Sequence, residues 1–99
     1  MDGRMSFKEE ILDVMRQNKG LFKKYGVCKM GLFGSFVKNK NKKTSDVDVL
    51  VEFNKATFDN YIGLRAELEE KLHKKIDLVS IKALKRRIKQ YILKEIEWI

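Results

Sequence analysis

The stretch LFGSFVKNKNKKTSDVDVLVEF, residues 32–53, organises the reading of the whole chain. Its second half alternates at period two. Val47, Val49, Val51 and Phe53 fall on one side of a strand, and Asp46, Asp48, Leu50 and Glu52 on the other. Asp46 and Asp48 therefore leave one face together at the strand's start, while the valines turn into a core. The first half ends a preceding strand at Gly34-Ser35. The ten residues between Ser35 and Asp46 carry four lysines and no acid, which predicts a solvated loop that opens with a helical turn.

Upstream, Val27–Phe33 is a short apolar run after a glycine and reads as a buried strand, with Cys28 as a small buried hydrophobe. Residues 6–25 read as a helix: Ser6 and Glu9 form a capping box, and Phe7, Ile11, Leu12 and Met15 recur at helical spacing. Gly20 loosens this helix, Leu21, Phe22 and Tyr25 continue its apolar face, and Gly26 suits a left-handed position beyond its end. Downstream, Phe58, Tyr61, Ile62, Leu68 and Leu72 mark a helix over 57–73, ending near His73, which reads as a solvated surface residue. Ile76-Asp77-Leu78-Val79 is a third strand, and Ser80 offers an N-cap to a last helix. That helix carries Ile81, Leu84, Ile88, Tyr91, Ile92 and Ile96, with a basic outer face at Lys82, Lys85, Arg86, Arg87 and Lys89. Tyr25, Tyr61 and Tyr91 fall at core spacing and receive no chemistry. Trp98 and Ile99 form an apolar terminus that docks on the core or on another subunit. The order α-β-β-α-β-α describes a small α/β (α+β) fold: a mixed three-stranded sheet with flanking helices, one domain over residues 1–99.

Composition narrows the chemistry. The chain has 99 residues, 22 Lys+Arg against 14 Asp+Glu, a net charge of +8 and a pI near 9.6. That balance suits a polyanionic partner such as a nucleotide, a nucleic acid or an acidic protein face. One cysteine excludes an internal disulfide framework and a cysteine-based zinc site, and one histidine argues against a His-cluster metal centre. No apolar run reaches the ~20 residues that span a bilayer. The opening MDGRMSFKEE lacks the apolar core of a signal peptide. These features point to a cytoplasmic, soluble protein with no membrane partner.

Asp77 stands in a strand between Ile76 and Leu78, where an apolar residue is expected. If its strand neighbours that of Asp46 and Asp48, strands about 4.8 Å apart bring three carboxylates to one patch. Like charges so placed repel strongly, by roughly 4 kcal/mol for a pair at about 4 Å and an effective dielectric of ~20. A hard cation relieves that repulsion, and oxygen-only ligands select Mg²⁺ or Mn²⁺. Mg²⁺ is commonly held by one or two carboxylates with substrate phosphates completing its shell, so the cluster implies a phosphate-bearing substrate. Gly34 leaves room for a phosphate to approach the backbone, Ser35 offers a hydroxyl near free N–H groups, and the lysines from Lys38 onward add positive charge. Each feature alone has an ordinary explanation as a solvated edge, a turn or a cap. Their order is more specific: strand, Gly-Ser, ten residues, Asp-x-Asp in a strand, then an isolated strand acid.

In that order the chain resembles the MNT-type minimal nucleotidyltransferases of the DNA polymerase beta-like superfamily. Gly34-Ser35 with Asp46 and Asp48 matches the family signature. IDLVSIKALKRRIKQYILKEI, residues 76–96, is similar to the family's third strand and final helix, with Asp77 in the third-carboxylate position. The resemblance implies a polymerase-beta-like palm and transfer of a nucleoside monophosphate with release of pyrophosphate. It implies two Mg²⁺ ions (or Mn²⁺) bridged by Asp46 and Asp48, one of them held also by Asp77. Gly34, Ser35 and Lys38 would then grip the triphosphate of ATP. It further implies the antitoxin half of a HEPN/MNT toxin–antitoxin pair, a hetero-complex in which AMP moves from ATP to a tyrosine of the HEPN toxin. One position departs from the pattern: where many relatives carry Arg-Gly shortly after Gly-Ser, this chain has Lys38-Asn39, which keeps the charge but lacks the bidentate fork.

Three other functions share part of this pattern. The same chemistry could act on RNA or a small hydroxylated molecule. A binding module could neutralise its partner by contact, with the carboxylates vestigial. A nucleic-acid binder would rest on +8 alone and is not favoured, because the lysines are not interleaved with aromatics apart from Phe36.

Overall fold

In the computed structural model, which describes residues 7–38 and 46–99, the alternating segment forms strand β2 (Val47–Phe53). It pairs antiparallel with β1 (Val27–Phe33) and parallel with β3 (Ile76–Ser80). A fourth strand, β4 (Glu97–Trp98), adds antiparallel to the far side of β1, giving the order β3-β2-β1-β4. The mixed sheet flanked by helices is as expected, but the described residues form four strands instead of three. The apolar terminus docks on its own sheet, with the Ile99 N–H donating to the Met30 carbonyl at 2.9 Å. Gly31 makes this possible, since a side chain there would meet Ile96 Cδ1 at 2.7 Å and the Glu97 carbonyl at 3.0 Å.

The predicted first helix divides into α1 (Phe7–Gln17) and α2 (Gly20–Lys24), broken where the Asn18 amide turns back to the Val14 carbonyl. Gly26 follows with φ 61°, the left-handed position expected of it. Helix α3 (Phe58–Leu72) starts at Thr57, whose side chain accepts the Asn60 N–H, and ends at His73, exposed and left-handed at φ 53°. The predicted last helix is shorter than its apolar spacing suggests. Ile81–Ala83 is a single 3-10 turn, uncapped by the Ser80 side chain, and α4 runs only over Arg86–Glu95. The Ser6 cap, Asn39 and the lysine-rich loop over 39–45 lie outside the described residues.

Both faces of the sheet are covered. On one, α1, α2 and α3 bury Ile11, Leu12, Met15, Leu64 and Leu68 against Val47, Val49 and Val51. Phe36, read as part of a solvated loop, is fully buried in this core and anchors the turn after Gly34. On the opposite face, Leu50 is fully buried under Ile81 and Ile92, with Phe33, Leu84 and Ile96 around it. Five residues expected at apolar contacts are instead exposed: Phe7, Phe58, Ile62, Ile88 and Tyr91. On α3 the sheet selects the stripe through Leu64 and Leu68, which leaves Phe58 and Ile62 off to one side. Cys28 is also exposed, because the β1–β2 register shifts between Val27 and Lys29 and the bulge turns it outward.

Candidate active site

Asp48 and Asp77 face each other across the β2–β3 ladder. They are direct register partners in a parallel pair, so both side chains stand on the face that carries Leu50. On the other side of β2, Asp48 pairs with Phe33, one residue before Gly34. Asp46 sits just before β2 and is exposed, as is Asp77, whereas Asp48 is half-buried. Among the described residues no three His, Cys, Asp or Glu side chains stand close enough to hold a metal ion by themselves. The fold thus assembles a pair, with Asp46 at its rim.

The pair is electrostatically loaded. Burial, then the charge of Asp77 and a hydrogen bond shared with it, then the charge of Asp46, push the Asp48 carboxyl up to about 6. Two contacts from α3 bracket Asp77. The Tyr61 hydroxyl donates to the Leu78 carbonyl at 2.6 Å, and the Ile76 N–H donates to Glu69 Oε2 at 3.0 Å. They fix β3 against α3, with the Asp77 carboxylate on the opposite face of the sheet.

Gly34 lies against Asp48. Its φ is 79°, and a Cβ built on it would stand 2.2 Å from Asp48 Oδ2. No other residue type fits there without moving the carboxylate. From Gly34 the chain makes one helical turn, the Lys38 N–H donating to the Gly34 carbonyl at 3.2 Å, and Ser35 lies half-buried within it. Lys38 reaches Glu95 Oε2 with its Nζ at 3.1 Å and lies 5.4 Å from the centre of the Tyr91 ring. The hydrogen bond and charge of Glu95, with a smaller contribution from Tyr91, raise the Lys38 ammonium above its ordinary value. The Gly34 N–H points to Glu95 Oε1 at 3.4 Å.

The fold that brings this glycine turn beside a carboxylate pair is shared with known proteins. The profile of the family described as "Polymerase beta, Nucleotidyltransferase" matches residues 9–99. The chain belongs to this family. Among nucleotidyltransferase relatives, the protein adenylyltransferase MntA of Thermococcus cleftensis is 36% identical over 93 residues, spanning 92% of this chain and 94% of that protein. A Methanocaldococcus jannaschii chain named as a candidate protein adenylyltransferase is 35% identical over 86 residues, spanning 86% and 92% respectively. A solved minimal nucleotidyltransferase superposes with a TM-score of 0.80 at 28% identity, covering 96% of this chain and 97% of its own. A toxin–antitoxin structure with AMP-PNP shares the fold at a TM-score of 0.65 and 20% identity, covering 92% and 70%.

For this nucleotidyltransferase chain, sequence reasoning found the acids and the Gly-Ser turn but missed Tyr61, Glu69, Tyr91 and Glu95. Tyr61 looked like plain core. Tyr91 likewise falls at core spacing, Glu95 lies on a helix with a basic outer face, and nothing local to either signals Lys38.

Proposed function

We propose that this chain transfers AMP from ATP to a tyrosine hydroxyl of a HEPN-type partner protein and thereby acts as the antitoxin of a toxin–antitoxin pair. The observation that carries the reading is the register pairing of Asp48 with Asp77 next to a glycine that only a missing side chain can accommodate. Two likenesses support the acceptor class: one relative is named protein adenylyltransferase MntA, and a chain that shares the fold comes from a complex of a tri-AMPylated Shewanella oneidensis HEPN toxin with an MNT antitoxin.

The donor set fits Mg²⁺: oxygen only, two carboxylates paired and a third at the rim, with one of the pair already pushed toward protonation by its neighbours. Asp48 and Asp77, with Asp46, would hold Mg²⁺ ions, which supply charge neutralisation at the phosphates and a lowered pKa at the acceptor hydroxyl. This chain's own residues do the rest. Gly34 lets the β- and γ-phosphates approach the backbone, Ser35 offers its hydroxyl, and Lys38 offsets their charge. The acceptor oxygen forms its bond to the α-phosphorus as the bond to the bridging oxygen breaks. Pyrophosphate leaves, and the hydroxyl proton passes to Asp77, directly or through water.

Radiolabelled ATP, Mg²⁺ and a purified HEPN partner test this. Label should appear on a tyrosine of the partner with stoichiometric pyrophosphate. Label on RNA alone, or none on any acceptor, would overturn it.

A further inference from the structure

Two donors of the proposed triphosphate site, the Gly34 backbone N–H and the Lys38 ammonium, already serve one carboxylate. Glu95 accepts from Gly34 through Oε1 at 3.4 Å and pairs with Lys38 through Oε2 at 3.1 Å, one oxygen to each. Its side chain is 19% exposed, so most of it is withdrawn from water. The placement has no helical reason. Glu95 is the last residue of α4, where the helix dipole disfavours negative charge. What holds it there is the cradle itself.

We infer that Glu95 is a resident competitor for the phosphate cradle, setting nucleotide affinity by occupying the donors that the triphosphate needs. This rests on the reading of Gly34 and Lys38 as the phosphate site. Phosphate oxygens and the Glu95 carboxylate carry the same charge and need the same N–H and ammonium protons, so they cannot share them. Glu95 can leave only by rotating its side chain. Its backbone is pinned on the C-terminal side, where Ile96 packs over Gly31 and Glu97–Trp98 pairs with β1. Nucleotide binding therefore has to break the Glu95–Lys38 pair, which lowers the affinity by the worth of that pair.

Calorimetric titration of the full chain with ATP and Mg²⁺, with inorganic tripolyphosphate, and with adenosine tests this. The variants are Glu95→Gln, Glu95→Asp and, as a charge control, Glu97→Gln, which pairs with Lys8. Thermal unfolding of each establishes that it is folded. Glu95→Gln should tighten ATP and tripolyphosphate about two- to fivefold, the range of one partly exposed ion pair, and leave adenosine unchanged. Glu95→Asp keeps the charge but shortens the reach, and should tighten both phosphates as well. Glu97→Gln should change nothing. Wild-type affinity in both Glu95 variants overturns the competitor. So does equal tightening by Glu95→Gln and Glu97→Gln with none from Glu95→Asp, because that is a long-range charge effect. If neither wild type nor Glu95→Gln binds ATP or tripolyphosphate, the cradle reading itself fails and the competitor with it.

Discussion

Asp48 and Asp77 are paired residue for residue across the parallel β2–β3 ladder, on the sheet face that α4 covers. Residues flanking Asp77 are tied to α3 through Tyr61 and Glu69, and Asp48 is backed by Gly34, so neither acid can relax far from the other. The fold holds two like charges together, which is costly for folding and useful for gathering a cation.

The cost is measurable through pH. Asp48 rises from an ordinary 3.8 to about 6 in the folded chain. Below pH 3.8 it is protonated in both folded and unfolded states and adds no penalty. As pH rises through about 6 the folded chain must ionise it against Asp77, and stability is lost. Asp48→Asn should therefore stabilise the metal-free protein at pH 7.5 by about 1–2 kcal/mol, after allowing for solvent screening of a half-exposed group. The gain should vanish near pH 3.5. Thermal unfolding at the two pH values reads it, and equal melting of variant and wild type at pH 7.5 would contradict the loaded pair.

Gly34→Ala should be severe. The substitution puts a Cβ 2.2 Å from Asp48 Oδ2 on a backbone at φ 79°. Strain of about 1–3 kcal/mol is expected, with AMP transfer reduced at least about a hundredfold because a small displacement at the reacting groups is enough. Unfolding and turnover measured on the same preparation check both.

How far the sequence carries can be judged residue by residue. The strands β1, β2 and β3 were readable because Val47, Val49, Val51 and Phe53 alternate against acids and because Ile76–Val79 is bounded by turn residues. Asp46, Asp48, Asp77 and Gly34-Ser35 were readable as candidates for chemistry because acids in strands need a reason and a glycine turn lies beside them. Strand β4 was not, since two residues carry no periodicity and Glu97–Trp98 is a strand only because Gly31 admits it. The exposure of Cys28 depends on a bulge, which apolar content does not reveal. Phe58, Ile62, Ile88 and Tyr91 satisfy helical spacing, but which stripe of a helix is buried is decided by the sheet beneath it. Pairs distant in sequence, such as Lys38 with Glu95, leave no local trace.

Leu50 tests the second core. It points to the same face as the acids, yet it is fully buried under Ile81 and Ile92. Leu50→Ala should cost about 2–5 kcal/mol, the range for emptying a buried leucine site. In a domain this small that is a large share of the total. Denaturant unfolding with an unchanged slope measures it. A loss under 1 kcal/mol would mean that α4 does not seal this face.

Lys38→Met separates binding from folding. The lysine is partly exposed, and Glu95 keeps the Gly34 N–H as a partner when the ammonium is removed, so melting should change little. The KM for ATP should rise several-fold, and the salt dependence of ATP binding should flatten as one cationic contact is removed. Steady-state kinetics at two ionic strengths distinguish this from a purely structural effect.

The claim on which the account turns is that Asp48 and Asp77 jointly hold a divalent cation in the presence of nucleotide. Mn²⁺ binding followed by electron paramagnetic resonance, with a non-hydrolysable ATP analogue present, tests it without relying on any acceptor. The wild-type chain should bind Mn²⁺, and Asp48→Asn and Asp77→Asn should each weaken it at least about tenfold, the loss of one charged ligand. Undiminished binding in both variants would contradict it.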